Sequence, residues 1–221
     1  MRKTVFVLGG VLVSLVAGGA ETNVSSAPVK QPLPPPSHDG RVSVEEAIAA
    51  RRSVRTFDAV SLAPGQIGQL CWAGQGITDK AHGYRAAPSA GALYPIELYV
   101  VSAAGVDHYL PAEHALERVG SGDCRDALCE AAGGQTSITE ASVTFIIAAV
   151  PERTAKKYGG RAERYCLLEA GHVAQNILLQ ATALRLGGVP IGAYDEPRIL
   201  ESLKLPKGLR VLYLVCVGRP R

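Results

Sequence analysis

The sequence predicts an α+β or α/β sandwich layered on one sheet, and three observations carry that expectation. Residues 161–186 hold no proline, only a lone Gly171, and set apolar side chains on every side. Helices apolar all round are buried, and this one, at roughly 1.5 Å per residue, makes a rod of about 40 Å, enough to span a small domain. Three runs, 96–102 (IELYVVS), 143–150 (VTFIIAAV) and 211–217 (VLYLVCV), have the β-branched and aromatic content of buried strands. Those runs alternate with segments that carry helix periods and caps, which is the pattern of helices packed on a shared sheet.

Taken in order, Arg2 and Lys3 precede an apolar run at 5–17, and Gly18 and Ala20 offer a cleavage site before Glu21. That is the layout of a secretory signal peptide over 1–20, with an uncleaved membrane anchor as the alternative. Residues 21–40 carry prolines at 28, 32, 34, 35 and 36 and read as a linker. The folded domain is expected over 41–221. Ser43 and Glu46 form a capping box for a helix running to about Arg52. Pro64 opens a second helix through about Ala73. After the first strand, 108–110 and 115–119 suggest a hairpin, and Asp123 is placed to cap a helix through Ala132. The long helix should end at Gly187 and Gly188, with 189–194 opening as a strand of small residues.

Without Arg2 and Lys3, the 23 Lys and Arg become 21 against 20 Asp and Glu. A near-neutral chain argues against a nucleic-acid or acidic-membrane partner, which needs clustered positive charge. Cys71, Cys166 and Cys216 lie in apolar segments and read as small core residues. Cys124 and Cys129 stand five apart on an expected helix, too far round it for a bridge or a metal pair. No cluster has metal-ligand spacing.

The chemistry-bearing stretches are few. Arg51, Arg52, Ser53 and Arg55 gather three guanidinium groups and a hydroxyl at a helix end, suited to phosphate oxygens or simply to a helix C-terminus. Pro88, Ser89, Ala90 and the small residues after them allow backbone to approach a flat ligand. On the long helix Glu169, His172, Gln175 and Asn176 either line a pocket or make satisfied core and interface bonds.

Together these segments resemble the nitroreductase superfamily, most closely its SagB-type dehydrogenase branch. The matching pieces are 51–55 (RRSVR), 88–95 (PSAGALYP), Lys157 and Tyr158, 164–172, 187–192 and 217–220, in family order. The resemblance implies a two-layer α+β fold, a nitroreductase-like sandwich with a mainly antiparallel central sheet, and a homodimer with FMN at its interface. It implies that Arg51, Arg52 and Ser53 hold the phosphate and ribityl chain, that Pro88, Ser89 and Ala90 reach the flavin, and that Pro190, Ile191 and Gly192 run along its edge. Arg219 or Arg221 adds charge at the phosphate. Ala92 and Gly192 stand where better known nitroreductases have Asn and Glu, as in the SagB-type branch. There, a Lys-Tyr pair matched by Lys157 and Tyr158 removes a proton during azoline oxidation. The implied activity is hydride transfer through flavin N5 to or from a small organic substrate, with NADH or NADPH as candidate donor. A flavin-binding or assembly protein with little turnover is the alternative, and azoline dehydrogenation of peptides the alternative within enzymes.

Overall fold

The computed structural model describes residues 29–221, so the expected leader at 1–20 and the first part of the expected linker lie outside the described residues. The elements run β1 (Lys30–Pro32), α1 (Val44–Ala50), α2 (Pro64–Gln75), β2 (Ile77–Asp79), β3 (Tyr84–Arg85), β4 (Ile96–Ser102), β5 (Gly105–Leu110) and β6 (Ala115–Ser121). They continue with α3 (Arg125–Ala131), α4 (Ser137–Glu140), β7 (Val143–Ala149), α5 (Pro151–Tyr158), α6 (Ala162–Ala183), β8 (Gly187–Ile191), α7 (Glu196–Ser202) and β9 (Arg210–Gly218). Seven strands form one sheet in the order β1-β6-β5-β4-β7-β9-β8, each neighbouring pair antiparallel. β2 and β3 make a separate hairpin.

β7 explains the layering. All of its positions are buried, so alternate side chains feed two cores. Val143, Phe145 and Ile147 pack with Leu70 of α2 and Val173, Ala174 and Ile177 of α6. Ile146 and Ala148 point the other way, to Leu128 of α3 and Ile199 of α7. The implied two-layer arrangement therefore gains a third layer, because a strand apolar at every position needs both faces covered. Full burial of a side chain such as Ile177 stabilises by about 1.5–3 kcal/mol.

Local chemistry sets the element ends. The Ser43 hydroxyl accepts the Glu46 N–H at 3.1 Å while the Glu46 carboxylate accepts the Ser43 N–H at 2.7 Å, so the capping box forms as its spacing predicts. Three expectations change. Lys30–Pro32, read as linker, pairs antiparallel with β6 and leads into buried Leu33. The long helix does not stop at Gly187 and Gly188. It ends a turn earlier, where Arg185 takes φ +57 and the Leu186 N–H returns to the Ala181 carbonyl at 2.8 Å, and both glycines belong to β8. Nor is the rod buried all round, since Leu167 and Leu168 are each 52% exposed on α6; on α1, Val44 and Ile48 are exposed too, at 65% and 58%.

Candidate functional site

The basic turn after α1 is laid against the edge strand β8. Ser53 bridges Gly188 in parallel, and the Val54 N–H donates to the Gly188 carbonyl at 3.0 Å. The glycine pair permits this approach. A Cβ on Gly187 would stand 2.7 Å from the Val54 Cβ, and one on Gly188 2.9 Å from Leu178 Cδ2. The chain then follows the end of β9: Phe57 bridges Pro220, and the Asp58 N–H donates to the Arg219 carbonyl at 3.0 Å. Ser53 and Arg219 thus reach the same end of the sheet.

The side chains there divide their work. Arg52 folds back to donate to the carbonyls of Ala49 at 3.0 Å and Arg51 at 2.7 Å, finishing the helix end. Arg221 is engaged with the Phe57 carbonyl at 2.7 Å and stands 3.7 Å from Glu140. Arg51 is half-buried, while Ser53, Arg55 and Arg219 are exposed.

Further along β8 the edge is bare. A strand sends successive backbone groups to opposite sides, so the outward carbonyl of Gly188 puts Pro190 on the outer side. Pro190 has no N–H to give there, and the exposed Gly192 follows directly after the strand ends at Ile191.

A second constellation surrounds the loop 88–95. Ser89 Oγ accepts the Tyr94 N–H at 2.9 Å, closing a turn in which Gly91 has φ +65, Ala92 +55 and Tyr94 +46. Left-handed backbone at Ala and Tyr costs about 1–3 kcal/mol each and persists only where surroundings fix it. Here the Arg85 N–H donates to Tyr94 Oη at 3.1 Å, Arg153 Nη1 donates to the Tyr94 carbonyl at 3.1 Å, and the Val150 N–H donates to the Pro95 carbonyl at 2.9 Å. Pro88, Gly91 and Ala92 are left exposed, with Ala90 half-buried.

Lys157 and Tyr158, at the end of α5, close over this loop. A Cβ on Gly91 would lie 2.9 Å from Tyr158 Oη and 3.1 Å from Lys157 Nζ. The Tyr158 ring meets Tyr165 edge-on at 4.8 Å, with Lys157 Nζ and Arg161 Cζ 5.5 and 5.8 Å from its centre. The sequence pair is therefore brought to one point against bare backbone.

Several residues that organise this constellation carry no sequence signal. Glu97 holds Arg153 at 2.5 Å and His108 at 2.6 Å. Burial pushes the Glu97 carboxyl up, but His108 and Arg153 outweigh it and hold it below its ordinary value. Arg85 donates to Gln75 Oε1 at 2.7 Å and stacks 4.9 Å over the Tyr94 ring. Of the polar positions on α6, Asn176 donates to the Ala73 carbonyl at 3.0 Å, His172 and Gln175 are exposed, and Glu169 is buried. Among the described residues no group of His, Cys, Asp or Glu could hold a metal, and no helix is long and apolar enough to cross a membrane.

The layered α+β scaffold thus carries a bare strand edge beside a basic turn, and a strained loop under a Lys-Tyr pair. Residues 48–219 match the model of the nitroreductase family, and the chain belongs to that family and is an oxidoreductase. It is 39% identical over 184 residues to a protein of Methanocaldococcus jannaschii named as a nitroreductase, covering 80% of this chain and 91% of that one. It is 27% identical over 129 residues to the microcin B17-processing protein of Escherichia coli, covering 53% and 47%. A solved structure named as a nitroreductase, from Ralstonia eutropha, superposes with TM-score 0.80 at 26% identity, covering 87% and 90%. The NADPH:FMN oxidoreductase of Vibrio harveyi, solved with NAD+, gives 0.61 at 25%, covering 80% and 68%.

Proposed function

We propose that this chain is an FMN-dependent oxidoreductase of the SagB-type branch that moves hydride to or from a small organic substrate, with NADH or NADPH as electron donor. The observation that carries the reading is the edge at 190–192 next to Ser53, where bare backbone and a basic turn suit a flat, phosphate-bearing group. In this reading Arg51 and Ser53, with Arg55 and Arg219 beside them, hold the phosphate and ribityl chain, while the Gly192 N–H donates toward the ring. Arg52 contributes by fixing the turn. Bound flavin supplies reversible acceptance of a hydride at N5.

The other half of the site is the loop 88–95 with Lys157 and Tyr158. Within one chain β9 and β7 lie between β8 and β4, a separation of roughly 14 Å at the usual strand spacing. A second copy that brings its loop to the first copy's β8 edge completes the site, and the exposed Val44, Ile48, Leu167 and Leu168 give such a homodimer an apolar face. The convergence of Lys157 Nζ and Tyr158 Oη on Gly91 favours substrates that lose a proton as hydride leaves, azolines among them, because both groups can exchange protons at one point. In this reading residues 1–20 are a signal peptide that directs the protein out of the cytoplasm, and the protein is anchored only if they stay attached.

The test is reconstitution with FMN followed by anaerobic mixing with NADH or NADPH. Loss of the flavin's visible absorbance, and its return on adding a nitroaromatic or quinone, is the expected result. A protein that takes up FMN but is not reduced by any donor is the flavin-binding or assembly protein instead, and one that takes up none sinks both. N-terminal sequencing of the protein from fractionated cells tests the location.

A further inference from the structure

Glu169 is the buried acid that the reading above leaves without a task. It is 2% exposed on α6, and its Oε1 has no hydrogen-bond partner among the described residues. Its inward neighbours on the rod, Cys166, Ala170, Val173 and Ala174, are apolar, and packing alone would be served as well by a side chain with nothing to ionise. The Ser89 hydroxyl and the Ile96 N–H face its carboxyl, with Arg85 nearby.

Ser89 is also the residue that closes the strained loop, through the Tyr94 N–H at 2.9 Å. One hydroxyl therefore faces the carboxyl of α6 and also holds the loop whose Gly91 lies under Lys157 and Tyr158. We propose that Glu169 is a positioning residue for the loop 88–95: while it keeps its proton it fits a dry seat behind Ser89 and the loop stays closed, and when it loses the proton the loop opens to admit water to the carboxylate. Resting on the flavin reading, this couples the placement of Lys157 and Tyr158 over the flavin to one buried proton.

The direction follows from linkage. Burial pushes Glu169 up to about 7, and Ser89, Arg85 and Ile96 offset that only in part. A group that binds its proton more tightly in the closed loop than in the open one makes the proton a ligand of closure. Closure therefore weakens as pH rises through about 7. The other groups around it do not reproduce this. Arg85, facing it from β3, is a guanidinium that stays charged, and it faces Glu97 of β4 and Arg153 of α5 in turn. His108 sits on Glu97, burial holds the Cys166 thiol above its ordinary value, and Gln75 of α2 is uncharged.

Hydrogen–deuterium exchange of peptides spanning 88–96, corrected for intrinsic rates, reads the opening directly. Between pH 6 and pH 8 the corrected exchange of the wild type should rise about tenfold, the factor linkage gives for a proton released near 7. Glu169→Gln should be flat. Should that variant fail to fold, Ser89→Ala removes the shared hydroxyl and should abolish the step. Equal exchange at both pH values in the wild type, or the same step in either folded variant, overturns the proposal. FMN titration of the same samples keeps the two readings apart: a step without FMN uptake removes the flavin reading and leaves this one, and uptake without a step does the reverse.

Discussion

The Val54 N–H donates to the Gly188 carbonyl at 3.0 Å, and this bond ties the turn carrying Arg51, Ser53 and Arg55 to the outer edge of β8. It also uses up the edge's first outward carbonyl, so the free edge begins only beyond it. Gly187→Ala attacks that geometry, because the new Cβ meets Val54 at 2.7 Å on a backbone that cannot retreat without breaking pairing with β9. Overpacking of this kind costs about 1–3 kcal/mol. Urea unfolding should show that loss, and FMN titration should show binding weakened by about tenfold or more, since 1.4 kcal/mol is a decade in affinity.

Gly91→Ala separates chemistry from cofactor binding. The added methyl enters the space held by Tyr158 Oη and Lys157 Nζ, at a φ of +65 that alanine adopts only with strain. The expected outcome is FMN affinity within a few-fold of wild type with turnover down by about a hundredfold, the scale of a lost proton-transfer group. Tyr158→Phe, which keeps the ring against Tyr165 but removes the hydroxyl, should lower kcat for substrates that give up a proton and leave reduction of a quinone nearly unchanged. Equal losses on both substrate types would count against a proton-transfer role.

Glu97 governs stability in acid. Its carboxyl lies below its ordinary value because His108 and Arg153 outweigh the effect of burial. A carboxyl depressed in the folded state contributes stability that is fully present above its unfolded value, near 4.3, and is lost as pH falls through the lower folded value. Glu97→Gln should therefore be less stable than wild type at pH 7, with the gap narrowing below about pH 4. Urea midpoints across a pH series read this, and a gap that stays constant in acid would contradict it.

Leu168→Glu tests the second copy. The residue is 52% exposed and is not a member of either core, so a charge there should leave the monomer's fold intact. Sedimentation should shift from dimer to monomer, and FMN should be lost along with the partner's loop. A variant that remains dimeric with FMN bound would move the interface elsewhere.

What could be read from the chain divides along the range of the interactions. The Ser43 and Glu46 cap is spelled within four residues and forms as spelled. The three apolar strand runs are β4, β7 and β9, because their burial follows from their own composition. β1 has no pattern to find: Lys30, Gln31 and Pro32 become a strand because β6 offers an edge. The rule that a glycine ends a helix misplaces the end of α6, since Arg185 takes the left-handed position and the glycines serve close packing against Val54 and Leu178. Arg85, Arg153 and Glu97, which fix the loop and α5, meet across long stretches of chain and leave no local signal. Periodicity likewise marks Leu167 and Leu168 as apolar without saying whether protein or solvent faces them.

β1 has a consequence for the molecule's solubility. It is the far edge of the sheet, three residues long, its lysine paired with Glu113 at 2.7 Å and its proline lacking an N–H. A short edge with a lysine and a proline is a poor template for another strand. Were the chain trimmed to residue 41, where its first well-capped helix is about to begin, the seven residues of β6 would become the edge, an open ladder for neighbouring molecules to extend. A truncation that removes Lys30–Pro32 should therefore leave the enzyme self-adhesive, because β6 would then be the open edge.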